Sequence, residues 1–178
     1  ETDATQGEVL VDGVNVKDYD IETLRNKVGI VMQKAVLFKG TIRENMWMGK
    51  KGATDEQIDE ALEISQSKEF VDSKQGRLDY VIEQGGKNLS GGQRQRLTIA
   101  RAIVRKPDVL ILDDSASALD FATDAALRKA IRGMNNSPTV FIVSQRAASL
   151  MYADLIIVLD DGQVAGMGTH DELSLIHI

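Results

Sequence analysis

Val109-Leu110-Ile111-Leu112-Asp113-Asp114 is a run of four aliphatic residues closed by two acids. A short apolar run that is continuous rather than alternating predicts a strand covered on both faces, as in a parallel sheet. Ligands of open α/β sheets bind outside the carboxyl ends of the strands, which is where these two carboxylates fall. Asp113 is suited to Mg²⁺ held through water and phosphate oxygens, because that ion takes few carboxylates. Asp114 is suited to orient or polarise a water. Either acid is equally readable as the N-cap of a following helix.

Similar runs extend the pattern in both directions. Val28–Met32, Thr139–Val143 and Leu155–Leu159 predict further strands, and Glu8–Gly13 predicts a short strand entering an Asp-Gly turn. Gln163–Gly166 predicts an edge strand after the Asp161-Gly162 turn. Helical signals lie between them. Thr54-Asp55-Glu56-Gln57 is a capping box that opens a helix to about Phe70, with Ile58, Ala61, Leu62 and Ser65 inward. A second helix runs from Gln93 to about Arg105, with Leu97, Ala100, Ile103 and Val104 inward. A third runs from Asp120 to about Arg132. The expectation is an α/β fold with a mostly parallel sheet, a largely helical insert over residues 41–106 and an antiparallel β edge near the C-terminus.

Leu89-Ser90-Gly91-Gly92-Gln93, followed by Arg94-Gln95-Arg96-Leu97, carries the second signal. Two adjacent glycines at the mouth of a helix leave backbone N–H groups open, and the helix dipole adds positive potential there. Such a site suits an anion such as a phosphate. Ser90 adds a hydroxyl donor. A bare Ser-Gly-Gly is also a glycine turn with a serine N-cap.

Composition removes several function classes. The chain has 178 residues, 43% of them apolar, which is enough for one domain with a real core. Lys plus Arg is 21 against 27 Asp plus Glu, a net charge of −6, so no nucleic-acid partner is expected. The 4% aromatic content disfavours a stacking platform for single strands. With no cysteine, disulfides, thiolate metal sites and cysteine nucleophiles are excluded. With only His170 and His177, histidine metal sites and Ser-His-Asp triads nearly are. Apolar runs stay far below the roughly 20 residues of a spanning helix, and no signal-peptide pattern opens the chain. The first residue is Glu1, so the N-terminus is expected to be a cut rather than a start.

Taken in order, Gln33, the Leu89–Gln93 string, the strand ending in Asp113 and Ser117-Ala118-Leu119-Asp120 resemble the ATP-binding cassette (ABC) ATPase domain over residues 5–173. Leu37-Phe38-Lys39-Gly40-Thr41-Ile42-Arg43-Glu44-Asn45 further resembles the multidrug and lipid exporter branch. The resemblance implies a P-loop NTPase-like α/β fold with ATP and Mg²⁺ as cofactors. Its implied partners are a second cassette and the transmembrane domain of the same transporter, at the cytoplasmic face of the cell membrane. It implies that Gln33 senses Mg²⁺ and nucleotide, and that Asp113 is the Walker B aspartate. Ser90, Gly91, Gly92 and Gln93 form the signature that meets an ATP held by the partner cassette, and Asp120 is the D-loop aspartate at the dimer interface.

Three departures qualify the resemblance. No Gly-Lys-Ser or Gly-Lys-Thr occurs, since Gly49-Lys50 is followed by Lys51 and Gly86-Lys87 by Asn88. The Walker A loop and the adenine-stacking aromatic would precede Gly7–Gly13, so the chain is expected to be truncated at its N-terminal side and inactive alone. Asp114 stands where the family has a glutamate, and a misplacement of about 1 Å can cost about 10²-fold. Gln145, in Val143-Ser144-Gln145-Arg146, stands where the family has its switch histidine, and is neutral. Asp114 and Gln145 would fall on one ATP site and the intact signature on the other. The resemblance implies that this is the pattern of one half of a heterodimeric exporter, the alternative being neutral drift at both positions.

Thr169-His170-Asp171-Glu172 predicts a capping box opening a C-terminal helix. The final Leu173-Ser174-Leu175-Ile176-His177-Ile178 matches the translation of a transposon-end adapter, CTGTCTCTTATACACATC. Residues 174–178 are therefore expected to be an adapter-derived tail, and His177 to carry no function. Competing classes fit less well. Chromosome-maintenance ATPases place a long coiled coil between the Q-loop and the signature, yet Gln33 and Ser90 are 57 positions apart without heptads. Translation-associated twin cassettes lack the exporter-like Leu37–Asn45 segment. A regulatory or structural cassette stays open because of Asp114 and Gln145.

Overall fold

A computed structural model describes residues 4–175. The chain opens with a hairpin of β1 (Leu10–Val11) and β2 (Val14–Asn15), turned by Asp12 and Gly13, both at positive φ. α1 (Ile21–Lys27) follows, N-capped by Asp20, and leads into β3 (Val28–Val31). The helical insert comes next, as expected. It contains β4 (Gly40–Thr41), α2 (Ile42–Trp47), α3 (Asp55–Ile64), α4 (Lys68–Asp72), β5 (Val81–Ile82) and α5 (Gly91–Ile103), with β4 and β5 paired antiparallel. The remainder is β6 (Val109–Asp113), α6 (Phe121–Arg132), β7 (Thr139–Val143), β8 (Ile156–Asp160), β9 (Gln163–Gly168) and α7 (His170–Ser174).

The expected single helix to Phe70 is two helices. α3 begins at its Thr54 capping box and buries Ile58, Ala61, Leu62 and the following Ser65. Ser65 and Ser67 are buried and hydroxyl-bonded to each other at 2.8 Å, and Gln66 between them sits at φ 61. Hydroxyls that bond locally compete with the helical ladder, and here they break it. α5 starts two residues earlier than expected, at Gly91, and buries Leu97, Ala100, Ile103 and Val104 against the sheet and insert.

The parallel sheet runs β3-β6-β7, with Ile30 level with Ile111 and Phe141, and Val31 level with Leu112 and Ile142. One face, carrying Val31, Leu110 and Leu112, is buried in a core shared with Leu97 and Ile99 of α5 and Leu127 and Ile131 of α6. The opposite face leaves Ile30 49%, Phe141 55% and Val143 55% exposed. Continuous apolar strands predict cover on both faces. Within the described residues only one face has it. β8 also departs from expectation: among the described residues it pairs only with β9, antiparallel, rather than with the parallel sheet. The Asp161-Gly162 turn of that hairpin has φ 45 and φ 75, the doubly positive backbone of a type I′ turn. At the C-terminus the Thr169–Glu172 capping box opens α7 as expected. Residues 176–178 of the expected adapter tail, His177 included, lie outside the described residues.

Candidate functional site

The in-register pairing of β3, β6 and β7 sets their carboxyl ends side by side. Gln33 leaves β3 there, Asp113 and Asp114 end β6, and Ser144-Gln145-Arg146 leaves β7. Strand alternation puts Asp113 on the same, uncovered face as Val109 and Ile111. Its carboxylate makes no hydrogen bond or ion pair among the described residues. Asp114 exits the strand at φ 43, the left-handed region that aspartate tolerates better than most residues, and its N–H donates to the Val143 carbonyl at 2.9 Å. Its Oδ2 accepts a hydrogen bond from Gln33 Nε2 at 3.0 Å. That contact leaves the Gln33 carbonyl oxygen Oε1 free as a ligand. Next to Asp114 lies a small, largely apolar cavity of about 10 Å³, lined by Leu112, Leu127 and Ile142 as well as Ser115 and Ser144, at the lower limit of the size of one water. Gln145 is exposed, and its side chain makes no hydrogen bond among the described residues.

The second group gathers at the N-terminus of α5. Ser90 Oγ accepts from the Gln93 N–H at 3.2 Å, and Gln93 Oε1 accepts from the Ser90 N–H at 3.1 Å. This capping box uses the serine oxygen as acceptor and leaves its O–H proton free, so the cap and an anion contact are compatible. The N–H groups of Gly91 and Gly92 find no partner among the described residues, as the first turn of a helix dictates. The two glycines differ. A Cβ on Gly92 would lie 3.3 Å from the Ala118 carbonyl, so this glycine allows loop 117–120 to approach the helix. A Cβ on Gly91 would meet only Arg94 Nη2, at 3.9 Å, and otherwise faces open space. Asp120, at the end of that loop, N-caps α6 by accepting from the Thr123 N–H at 2.9 Å and the Thr123 hydroxyl at 2.8 Å. These two bonds, the backbone one foremost, hold its carboxyl below the usual range.

Gln33 and Asp114 are thus bonded, with Asp113 and Gln145 at adjacent strand ends, while Ser90–Gln93 share a surface with the loop that carries Asp120. Among the described residues no hydrogen bond joins the side chains of the two groups, and residues 114–120 run between them. A clasp missed in the sequence organises the second group. Arg94 Nη1 donates to the Leu89 carbonyl at 2.6 Å and the Gly86 carbonyl at 3.3 Å. Gly86, at φ 70, has no room for a side chain, because a Cβ would lie 2.7 Å from the Arg94 stem. The Gly85-Gly86 pair was the only trace of this in the sequence.

Among the described residues no three His, Cys, Asp or Glu side chains cluster as a metal cage. Asp113 with Gln33 Oε1 is a sparse oxygen set of the kind that Mg²⁺ completes with water and phosphate. The donors fit that ion and do not fit a thiolate or imidazole metal.

Residues 1–117 match the family model described as ABC transporter. Over 171 residues, 96% of the chain, it is 40% identical to a Bacillus subtilis (strain 168) protein named as a candidate multidrug export ATP-binding/permease protein, YgaD. It is 38% identical over the same span to a likewise named protein of Staphylococcus aureus (strain NCTC 8325 / PS 47). A solved bacterial Atm1-family ABC exporter with ATP bound superposes with a TM-score of 0.89 at 32% identity over 95% of the chain. The chain spans about 30% of the length of each of these relatives.

Proposed function

From the premise that this chain belongs to the ABC transporter family, we propose that it is a nucleotide-binding portion of an exporter whose full-length protein hydrolyses ATP at a dimer interface to drive export. The observation that carries the proposal is the convergence of Gln33, Asp113, Asp114 and the turn with Gln145 at one sheet edge, together with a separate glycine-opened helix start that presents Ser90 and is linked to that edge through residues 114–120. In this reading Asp113 and Gln33 Oε1 hold Mg²⁺, whose charge offsets that developing on phosphate oxygens. Ser90 O–H and the open N–H groups of Gly91 and Gly92 bind the terminal phosphate of an ATP held by a partner cassette. Gln93 keeps Ser90 oriented through the capping box. Asp120 stands at the contact between cassettes.

Asp114 is held by Gln33 rather than free, and its side chain is a methylene shorter than the glutamate usual in the family. Gln145 offers a neutral donor in place of an imidazolium. Both features support a weakly catalytic site on this half, paired with a competent site built on this signature and a non-identical partner. The uncovered face at Ile30, Phe141 and Val143 supports a division in which residues 1–173 form part of a cassette whose Walker A element lies elsewhere in the full-length chain. Exposed Trp47, Met48 and Val81 on the helical insert, with Val36 and Phe38 in the segment just before it, support docking of a membrane domain there, with the cassette at its cytoplasmic side.

The test is phosphate release from Mg·ATP by the full-length protein reconstituted in lipid vesicles together with its partner cassette protein, against the 178-residue chain alone. Turnover by the reconstituted transporter that is lost in Gly91→Asp, and none by the chain, is expected. A reconstituted transporter with no turnover refutes the proposal.

A further inference from the structure

The segment after β7, residues 144–152, carries Gln145, yet it has little structure of its own beyond a single 3-10 turn over Ala147–Ser149. Arginines hold it against α6 and the loop before it. Arg146 Nη2 donates to the Ser117 carbonyl at 2.9 Å. Arg128 of α6 donates to the Ser149 carbonyl, and its Nε bonds Asp124 Oδ1 at 2.9 Å. Ser149 Oγ donates to Asp124 Oδ2 at 3.3 Å. The Asp124–Arg128 side chains are 8% and 15% exposed, so this ion pair is buried, and burial makes such a contact costly to break. Arg132, one turn further along α6, donates to the Tyr152 carbonyl. Residues 124, 128 and 132 share one helix face, so α6 grips the segment along its length.

Of these contacts, only the Arg146 bond ties the turn beside Gln145 to the loop that ends in Asp120. We propose that Arg146 is a positioning residue: through the Ser117 carbonyl it makes Gln145 and the 117–120 loop move as one unit, so that the state of one ATP site is passed to the cassette interface. The idea rests on the cassette reading above. It needs two coupled places and a physical link between them, and the link is a charge-assisted hydrogen bond to a backbone carbonyl. Arg146 is exposed, and although it stands at the N-cap position of the 3-10 turn its side chain makes no cap bond, so truncating that side chain leaves the core intact.

The experiment compares wild type, Arg146→Ala and Arg132→Ala in the full-length protein, with two readouts. Amide hydrogen exchange without nucleotide is expected to rise about tenfold over residues 114–120 in Arg146→Ala, consistent with loss of a hydrogen bond to a charged donor, and to stay unchanged there in Arg132→Ala. Steady-state ATPase of Arg146→Ala is expected to show kcat down about tenfold with KM for ATP within twofold, because Arg146 positions the loop and does not hold nucleotide. Unchanged exchange in Arg146→Ala overturns the proposal. So does faster exchange with unaltered kcat, or an equal effect of Arg132→Ala. A wild-type protein without turnover would refute the cassette reading, while the exchange data would still decide whether Arg146 holds the loop.

Discussion

Gly91→Asp should leave the protein folded, slightly more stable, and dead. Gly91 is the first residue of α5, and a Cβ there touches nothing closer than Arg94 Nη2 at 3.9 Å. Replacing glycine in a helix gains a few tenths of a kcal/mol in propensity for aspartate. A negative charge in the first turn adds about 0.3–1 kcal/mol through the dipole and the open N–H groups. The sum, about 0.5–1 kcal/mol in favour of folding, raises the thermal midpoint of a chain this size by roughly 1–4 °C. The same carboxylate occupies the space in front of the Gly91 and Gly92 N–H groups and repels a phosphate. Losing one preorganised donor to developing charge costs about 10²–10³ in rate, and here two donors and a charge are affected. Turnover of the assembled transporter should therefore fall at least about 10³-fold. Scanning calorimetry of the chain and phosphate release by the transporter are the paired assays. A midpoint lowered by several degrees would mean that Gly91 is needed by the fold. Retention of more than about a tenth of the turnover would mean that this helix start does not meet the phosphate.

Ser90→Ala removes the capping-box acceptor and should cost about 1 kcal/mol in stability, with a rate loss smaller than that of Gly91→Asp; equilibrium denaturation and ATPase assays check the two parts. Asp114→Asn should keep most of the transporter's turnover, since this site already lacks its usual base, and its complete loss with Gly91→Asp active would reverse the assignment of sites. Acid should destabilise the fold in a defined window. Bonds from Thr23 to Asp20 and from Thr123 to Asp120, each led by its backbone N–H, and from Lys68 and Arg77 to Asp72, lower those carboxyls below 3.8. Depressed carboxyls contribute stability that is present above the unfolded pKa and lost as pH falls through the folded one. Thermal midpoints should thus be flat in these groups from pH 5 to 8 and drop below about pH 4; a steeper loss between pH 5 and 7 would contradict it.

Local chemistry by itself determined the strands, the caps and the candidate residues. The apolar runs at Val28, Val109 and Thr139 became β3, β6 and β7, because a core needs apolar side chains wherever the backbone is extended. Thr54, Ser90, Asp120 and Thr169 each cap the helix that follows, because a cap depends on residues within one turn. Other features required the tertiary structure. The split between α3 and α4 comes from a local bond between Ser65 and Ser67, and what the tertiary structure adds is the burial of both hydroxyls. β8 reads like a parallel strand but among the described residues joins only β9, since strand partners are chosen by distant residues and not by the strand itself. The exposed row of Ile30, Phe141 and Val143 could not be read locally, because cover on a sheet face comes from other elements. The Gln33–Asp114 bond joins residues 81 positions apart, the Arg94 clasp depends on loop curvature, and Arg146 meets Ser117 only because β7 ends beside β6. Pattern and capping are short-range, whereas the pairing of site side chains is set by how the chain returns to one sheet edge.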